Sequence, residues 1–142
     1  MQDAHQVTLS FDLFRDYICE SRGEFSVCKN AYVATLSGWF GDRGGAYLAS
    51  GRPVVQQETG FSEHLPCGRG LFAVRTVDEA AAAIEEINSD YDRQSQSARE
   101  IAMEYLEAGK VLERLLDQVG VDRKSTRLNS SHIQKSRMPS SA

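Results

Sequence analysis

Residues 37–60 read SGWFGDRGGAYLASGRPVVQQETG. Glycines crowd the start, a stretch of helical spacing follows, Ser50-Gly51-Arg52 is turn-forming, and 53–55 is a proline-led β-branched run. The spacing predicts a glycine-rich turn, a short helix, a tight turn, a buried strand and a polar loop from Gln56 onward. That succession belongs to α/β folds, in which ligands sit outside the carboxyl ends of the strands, where loops and helix N-termini present free backbone N–H groups. The turn before the helix and the loop after the strand are the two places to look for a site.

In the first of these, Gly38, Gly41, Gly44 and Gly45 are able to take positive φ and bring backbone N–H groups up to an oxyanion. Asp42 is placed to cap the helix, and Arg43 carries a fork of donors that suits a diphosphate. Neither G-x-x-x-x-G-K-S/T nor G-x-G-x-x-G occurs, so glycine spacing alone leaves an ordinary turn and a phosphate cradle both open. Trp39-Phe40 reads equally as core packing or as a surface on which a base or sugar ring stacks.

In the second, Glu58 offers an acceptor for a sugar or ribose hydroxyl, and Thr59-Gly60 offers N–H groups to phosphate. His64 has no carboxylate partner evident beside it, which argues against general-base work.

Working outward toward the N-terminus, residues 1–10 carry little signal and read as a poorly defined start. Ser10 stands before Phe11, Phe14, Tyr17 and Ile18, a helical spacing that predicts a helix stopping near Ser21-Arg22-Gly23. Residues 24–27 and 32–36 are rich in β-branched and aromatic side chains and predict strands, with a turn at Lys29-Asn30 between them. Arg22, Glu24 and Lys29 form a charged group. They read either as solvated ion pairs or, for a basic side chain among them such as Lys29, as a phosphate ligand.

Toward the C-terminus, Gly68-Arg69-Gly70 turns into a buried strand at 71–74. Thr76-Val77-Asp78-Glu79 fits a capping box opening a helix over 77–89. Ser89 or Asp90 opens another, with Ala98, Ile101, Ala102, Tyr105 and Leu106 on one face. Gly109 interrupts it, and Val111, Leu112, Leu115, Leu116 and Val119 predict a last amphipathic helix. Strand, helix, strand, helix is the order of a half-Rossmann α/β unit finished by helices.

A chain of 142 residues with 41% apolar composition suits one small domain. Net charge is −4, which argues against a general nucleic-acid binder. The charge is divided: residues 1–121 carry −8 and residues 122–142 carry +4. No segment approaches the ~20 apolar residues of a membrane span, and no signal peptide opens the chain, so a cytoplasmic location is expected. The three cysteines, Cys19, Cys28 and Cys67, have no C-x-x-C pair and no histidine at metal-site spacing. No metal site is expected, and Cys19 and Cys28 read as small core residues.

Several of these stretches together carry a resemblance. The run of 37–40, Arg43, 49–55 and Thr59-Gly60 resembles the helix, Gly-x-Pro-Val-Val strand and following loop of the C-terminal domain of GT-B glycosyltransferases. Residues 21–43, SRGEFSVCKNAYVATLSGWFGDR, resemble a bacterial glycosyltransferase-like group related to spore-maturation CgeB proteins. The resemblance covers most of residues 11–119. It implies a partial Rossmann-like unit, the GT-B C-terminal half, over residues 11–121, whose N-terminal acceptor-binding domain is missing. It implies a nucleotide-sugar donor as substrate, with no cofactor and no metal. Lys29, Gly38, Trp39, Gly41, Asp42, Arg43, Glu58, Thr59 and Gly60 are then donor-binding candidates, and Arg43 is the candidate for offsetting diphosphate charge in catalysis. The ribose-binding glutamate of many retaining GT-B enzymes falls on Ala46, which has no side-chain acceptor, so the ribose would be held differently. The competing reading is a non-enzymatic α/β module acting through a partner on its apolar helix faces.

Residues 122–142 read DRKSTRLNSSHIQKSRMPSSA, almost without apolar residues or period, and predict a disordered basic tail. They also match the translation of a widely used short-read sequencing adapter in both of its arms, 122–132 and 136–142, up to the adapter's own stop codon. On that reading the tail is adapter-derived and has no functional role.

Overall fold

The structure, a computed structural model, describes residues 4–120. The expected tail at 122–142 lies outside the described residues. The chain divides after Glu107 into two units.

The first unit is α/β. Its sheet has three parallel strands in the order β1 (Glu24–Ser26), β2 (Val54–Gln57), β3 (Leu71–Val74), with Val54 opposite both Glu24 and Leu71. Successive side chains on a strand point to opposite faces, so the sheet supports two cores. Val54 and Leu71 join Ile18, Tyr47, Leu48, Phe61, Ala98 and Ile101 on one face. Val55, Phe72 and Val74 join Ala80, Ala83 and Ile87 on the other. The first core is covered by α2 (Phe11–Glu20), α4 (Asp42–Ala49) and α6 (Tyr91–Ile101), the second by α5 (Val77–Ser89).

Most predicted elements form where the sequence placed them. Ser10 caps α2 by accepting from the Leu13 N–H, and α2 ends at Ser21. After α4, the Gly51 N–H reaches the Leu48 carbonyl and the Arg52 N–H the Tyr47 carbonyl, which closes the helix in a Schellman turn. Thr76 accepts from the Glu79 N–H at 3.2 Å, while Glu79 reaches back to the Arg75 N–H rather than to that of Thr76.

Several expectations are corrected. Residues 32–36 are not a strand: Asn30–Ala34 is a short helix, α3, closed by Thr35, whose hydroxyl donates to the Ala31 carbonyl at 2.7 Å. Here local bonding, with two alanines in the run, overrides β-propensity. β2 runs on to Gln57, because both glutamine side chains find partners: Gln56 donates to the Trp39 carbonyl, and Gln57 accepts from the Cys28 N–H. A short helix, α1 (Ala4–Val7), stands where residues 1–10 gave no signal. Cys19 is exposed and Cys28 half-buried, so neither is a core residue. Of the apolar face read on α2, only Ile18 is fully buried.

α6 passes into a π-helical segment, Ala102–Leu106, and Glu107 is extended. The break therefore falls before Gly109, which lies inside α7 (Ala108–Gln118). In this second unit, Val111, Leu112, Leu115 and Leu116 are exposed. Among the described residues, no helix is long and apolar enough to cross a membrane.

Candidate functional site

The two loops singled out in the sequence meet at the carboxyl end of β2. After α3 the backbone turns through Leu36 (φ 47°) and Gly38 (φ 75°). The Gly38 N–H then donates to the Thr59 carbonyl at 2.7 Å, and the Thr59 hydroxyl donates to the Trp39 carbonyl at 2.6 Å. Gln56 Nε2 adds a second donor to that carbonyl at 3.2 Å. Gln56 and Thr59 are buried, so these bonds are shielded from competing water.

Gly60 is the residue that permits this closeness. Its φ is 95°, and a Cβ built on it would stand 2.8 Å from the Leu36 carbonyl oxygen. Beside it, Glu58 folds its carboxylate back to accept from the Gly60 N–H. Burial would raise Glu58, but hydrogen bonds from the Ser62 side chain and from the backbone of Gly60, Ser62 and Thr59 outweigh it and hold the carboxyl below its usual range. Glu58 is thus committed to shaping its own loop, where the sequence reading had it accepting from a sugar.

Of the glycines in the first loop, only Gly38 has positive φ; Gly41 is the residue before α4, at φ −75°. Gly44 and Gly45 lie within α4, and a Cβ at Gly44 would stand only 3.0 Å from the Phe40 ring, so the glycine leaves that ring its room. Asp42 does not cap α4. It is the first helical residue, and Gly41 occupies the cap position with no side-chain bond, leaving that helix start open.

Arg43, one residue further on, turns toward β1. Its Nε donates to Glu24 Oε1 at 2.6 Å, and Nη2 lies 3.4 Å from Ser26 Oγ. Glu24 is buried whereas the Arg43 side chain is 57% exposed. The hydrogen bond to Glu24 raises the Arg43 pKa and keeps the guanidinium charged. Glu24 Oε2 has no hydrogen-bond partner among the described residues. The charged group read at Arg22, Glu24 and Lys29 is therefore taken apart: Glu24 pairs with Arg43, and Arg22 bonds Asn88 and lies over the Tyr91 ring. Lys29 is exposed at the start of α3.

Trp39 is held by its backbone, yet its side chain stays out: the residue is 45% exposed. Its indole stacks on Tyr32 of α3, with ring centroids 4.8 Å apart and planes within 15°. Gly38, Trp39, Glu58, Thr59 and Gly60 are thus brought together, Gly41 borders the indole, and Arg43 stands at the start of α4 with its fork engaged on one side. A cavity lined by Arg43 and Glu24 together with Phe14, Tyr17, Gly23 and Tyr47 has about 390 Å³, within the roughly 300–1,000 Å³ of ordinary ligand pockets. Another, lined by Ser26, Val27, Gln57, Val74, Arg75 and Thr76, has about 180 Å³, below that range.

Sequence reasoning missed Gln56, Tyr32 and the Glu24 partner of Arg43. A pair of glutamines directly after two valines was a usable signal for a strand whose polar side chains have assigned partners. Nothing local in the sequence pairs Glu24 with Arg43. Cys67 is an exposed residue whose thiol is nonetheless pushed up to about 11, by local desolvation first and by the Glu58 charge second. No family model, curated protein or solved structure matches this chain.

Proposed function

We propose that this chain carries part of the donor-binding half of a GT-B-type glycosyltransferase and holds a nucleotide-activated sugar at the carboxyl end of β2. The observation that carries the reading is the junction of the 36–41 and 58–62 loops. Two segments far apart in sequence are locked by the Gly38–Thr59 and Thr59–Trp39 hydrogen bonds directly outside a parallel strand, beside the uncapped start of α4. On this reading, the sheet is a Rossmann-like half, and a separate domain supplies the acceptor side.

Arg43 has the role of countercharge. Glu24 fixes the guanidinium through Nε, and the outer edge stays available to a diphosphate. The sugar's bond to the diphosphate breaks as negative charge collects on the leaving group, and a preorganised cation there is worth most in the transition state. Glu58 and Asp42 serve the loop and the helix start.

Calorimetric titration of the chain with a panel of nucleotide sugars tests the reading. Saturable heat with one nucleotide class, lost when Thr59→Val and Gln56→Leu together unlock the junction, is the expected result. No heat with any member overturns it. A second reading, a module that binds a partner protein, is favoured by the exposed apolar residues of α7, and it expects no nucleotide binding at all.

A further inference from the structure

We infer that the cavity lined by α2, β1 and α4 is a binding site for a free α-amino acid, whose ammonium meets Glu24 and whose carboxylate meets Arg43. The site does not rest on the donor-binding reading and shares with it only the outer edge of Arg43. Phe14 and Tyr17 of α2, Glu24 and Phe25 of β1, and Arg43 and Tyr47 of α4 line a space of about 390 Å³. A water molecule takes up about 30 Å³ of liquid, so the space exceeds what one bridging water fills. Aromatic walls with few polar groups are the composition of a ligand site. The Glu24 side chain is only 6% exposed. Arg43 occupies its Oε1, and Oε2 is buried with no hydrogen-bond partner among the described residues. Buried polar atoms of native proteins are nearly always paired, because a bare one forfeits its bonds to water. The terminal torsion of glutamate is broad, so a small turn of the carboxylate presents Oε2 to a donor entering the cavity.

An ionised carboxylate only accepts, so the ligand must bring an N–H or O–H. The aromatic walls attract a cation to their faces, which favours an ammonium over a hydroxyl. A plain amine is nevertheless a poor match, because the charge of Arg43 borders the same space and such a ligand has nothing to offset it. Arg43 spends Nε on Glu24 and Nη2 on Ser26, while Nη1 has no partner among the described residues. That nitrogen is a donor suited to a carboxylate. One acidic and one basic side chain thus line the cavity, and a ligand carrying one charge of each sign leaves neither uncompensated. An α-amino acid holds its two charged groups on one carbon, which suits partners as close as Arg43 and Glu24, 2.6 Å apart at their bonded atoms. The rest of the wall is largely aromatic, so an apolar side chain completes the match.

Calorimetric titration of the chain with L-phenylalanine and L-leucine tests the site, beside phenethylamine and 3-phenylpropionate, which each keep one charged end of phenylalanine. No nucleotide is present, so the result is independent of the donor reading. Saturable heat with at least one of the two amino acids, and affinity roughly tenfold or more lower for both analogues, is the expected result, since each analogue leaves one charged partner unanswered. Glu24→Gln keeps an acceptor but loses the charge, and should weaken the amino acid by roughly tenfold or more. Tyr17→Leu, at a residue 36% exposed, keeps the wall apolar but removes a ring face. It should weaken binding by roughly three- to fivefold with the melting temperature unchanged, and it decides the matter where Glu24→Gln unfolds. No heat with either amino acid, equal affinity for either analogue, or parent affinity in either variant overturns the site.

Discussion

The junction outside β2 and the flank of β1 differ in what they bury. At the junction, Gln56, Glu58 and Thr59 are polar, almost wholly buried, and each is hydrogen-bonded. Along β1 and the adjoining part of α5, Phe25, Val27, Val77 and Ile84 are apolar and exposed, Val77 at 85%. A fold that minimised surface energy alone would reverse this arrangement. The contrast teaches that backbone precision is concentrated at one end of the central strand, while β1, one of the two edge strands, carries apolar surface and a side unpaired among the described residues, of the kind that ordinarily receives cover.

Gly60→Ala should strike the junction hardest. It places a Cβ against the Leu36 carbonyl and forces a non-glycine residue to φ 95°. A loss of about 3 kcal/mol is expected from strain of this type, measured by denaturant unfolding. Stability within about 0.5 kcal/mol of the parent would show that the two loops do not depend on their close approach.

Arg43→Ala comes next. It strips the buried Glu24 carboxylate of the one side-chain partner it has among the described residues, where Oε2 has none, and an orphaned buried acceptor costs about 1–3 kcal/mol. That loss of melting temperature follows from the structure whatever Arg43 does in catalysis. The two roles separate in Glu24→Gln, which removes the charge of the partner but keeps an acceptor. If Arg43 is a countercharge, Arg43→Ala abolishes donor binding or turnover of the folded protein far more than Glu24→Gln does. If Arg43 only anchors β1 to α4, the two variants change stability and leave donor affinity alike.

How much of this was legible in the sequence follows from where each interaction is encoded. β2, β3, α4 and α5 announce themselves through local patterns: the β-branched pairs, the Ser-Gly turn and the Thr-x-x-Glu cap. The site loops were legible as places, because turns before a helix and after a strand are read from glycine and polar clusters. Their chemistry was not. Glu58 looked free and is folded onto Gly60; Arg43 looked free and is bonded to Glu24, nineteen positions earlier. Such partnerships depend on which strands become neighbours, and parallel pairing leaves no local trace in the chain. The α3 helix was misread for a related reason: Tyr32 and Val33 favour strands, but β1 pairs only with β2 and offers these residues no ladder among the described residues.

Glu58 should also give a pH signature smaller than either substitution above. Its folded pKa is lowered, so its stabilising contribution is present above its unfolded value and is lost as pH falls through the folded value. The stability difference between the parent and Glu58→Gln should narrow as the solution is acidified through the carboxylate range. A difference that widens on acidification would contradict the hydrogen-bonded carboxylate.

The smallest expected effect on stability lies at the other region. Val27→Thr, at a residue 71% exposed, should change unfolding free energy by no more than about 0.5 kcal/mol. It should nevertheless lower self-association and binding of a hydrophobic dye, because it breaks the apolar strip beside the β1 edge. A large stability loss would mean that the flank is packed like the junction, and the contrast between them would collapse.

Amide hydrogen exchange of the whole chain, with and without a saturating nucleoside diphosphate, tests the central claim most directly. The donor-binding account expects added protection at Trp39, Gly41 and the first turn of α4, and at Thr59 and Gly60, with α7 unchanged. Identical exchange at those loops in the presence of every nucleoside diphosphate would contradict it.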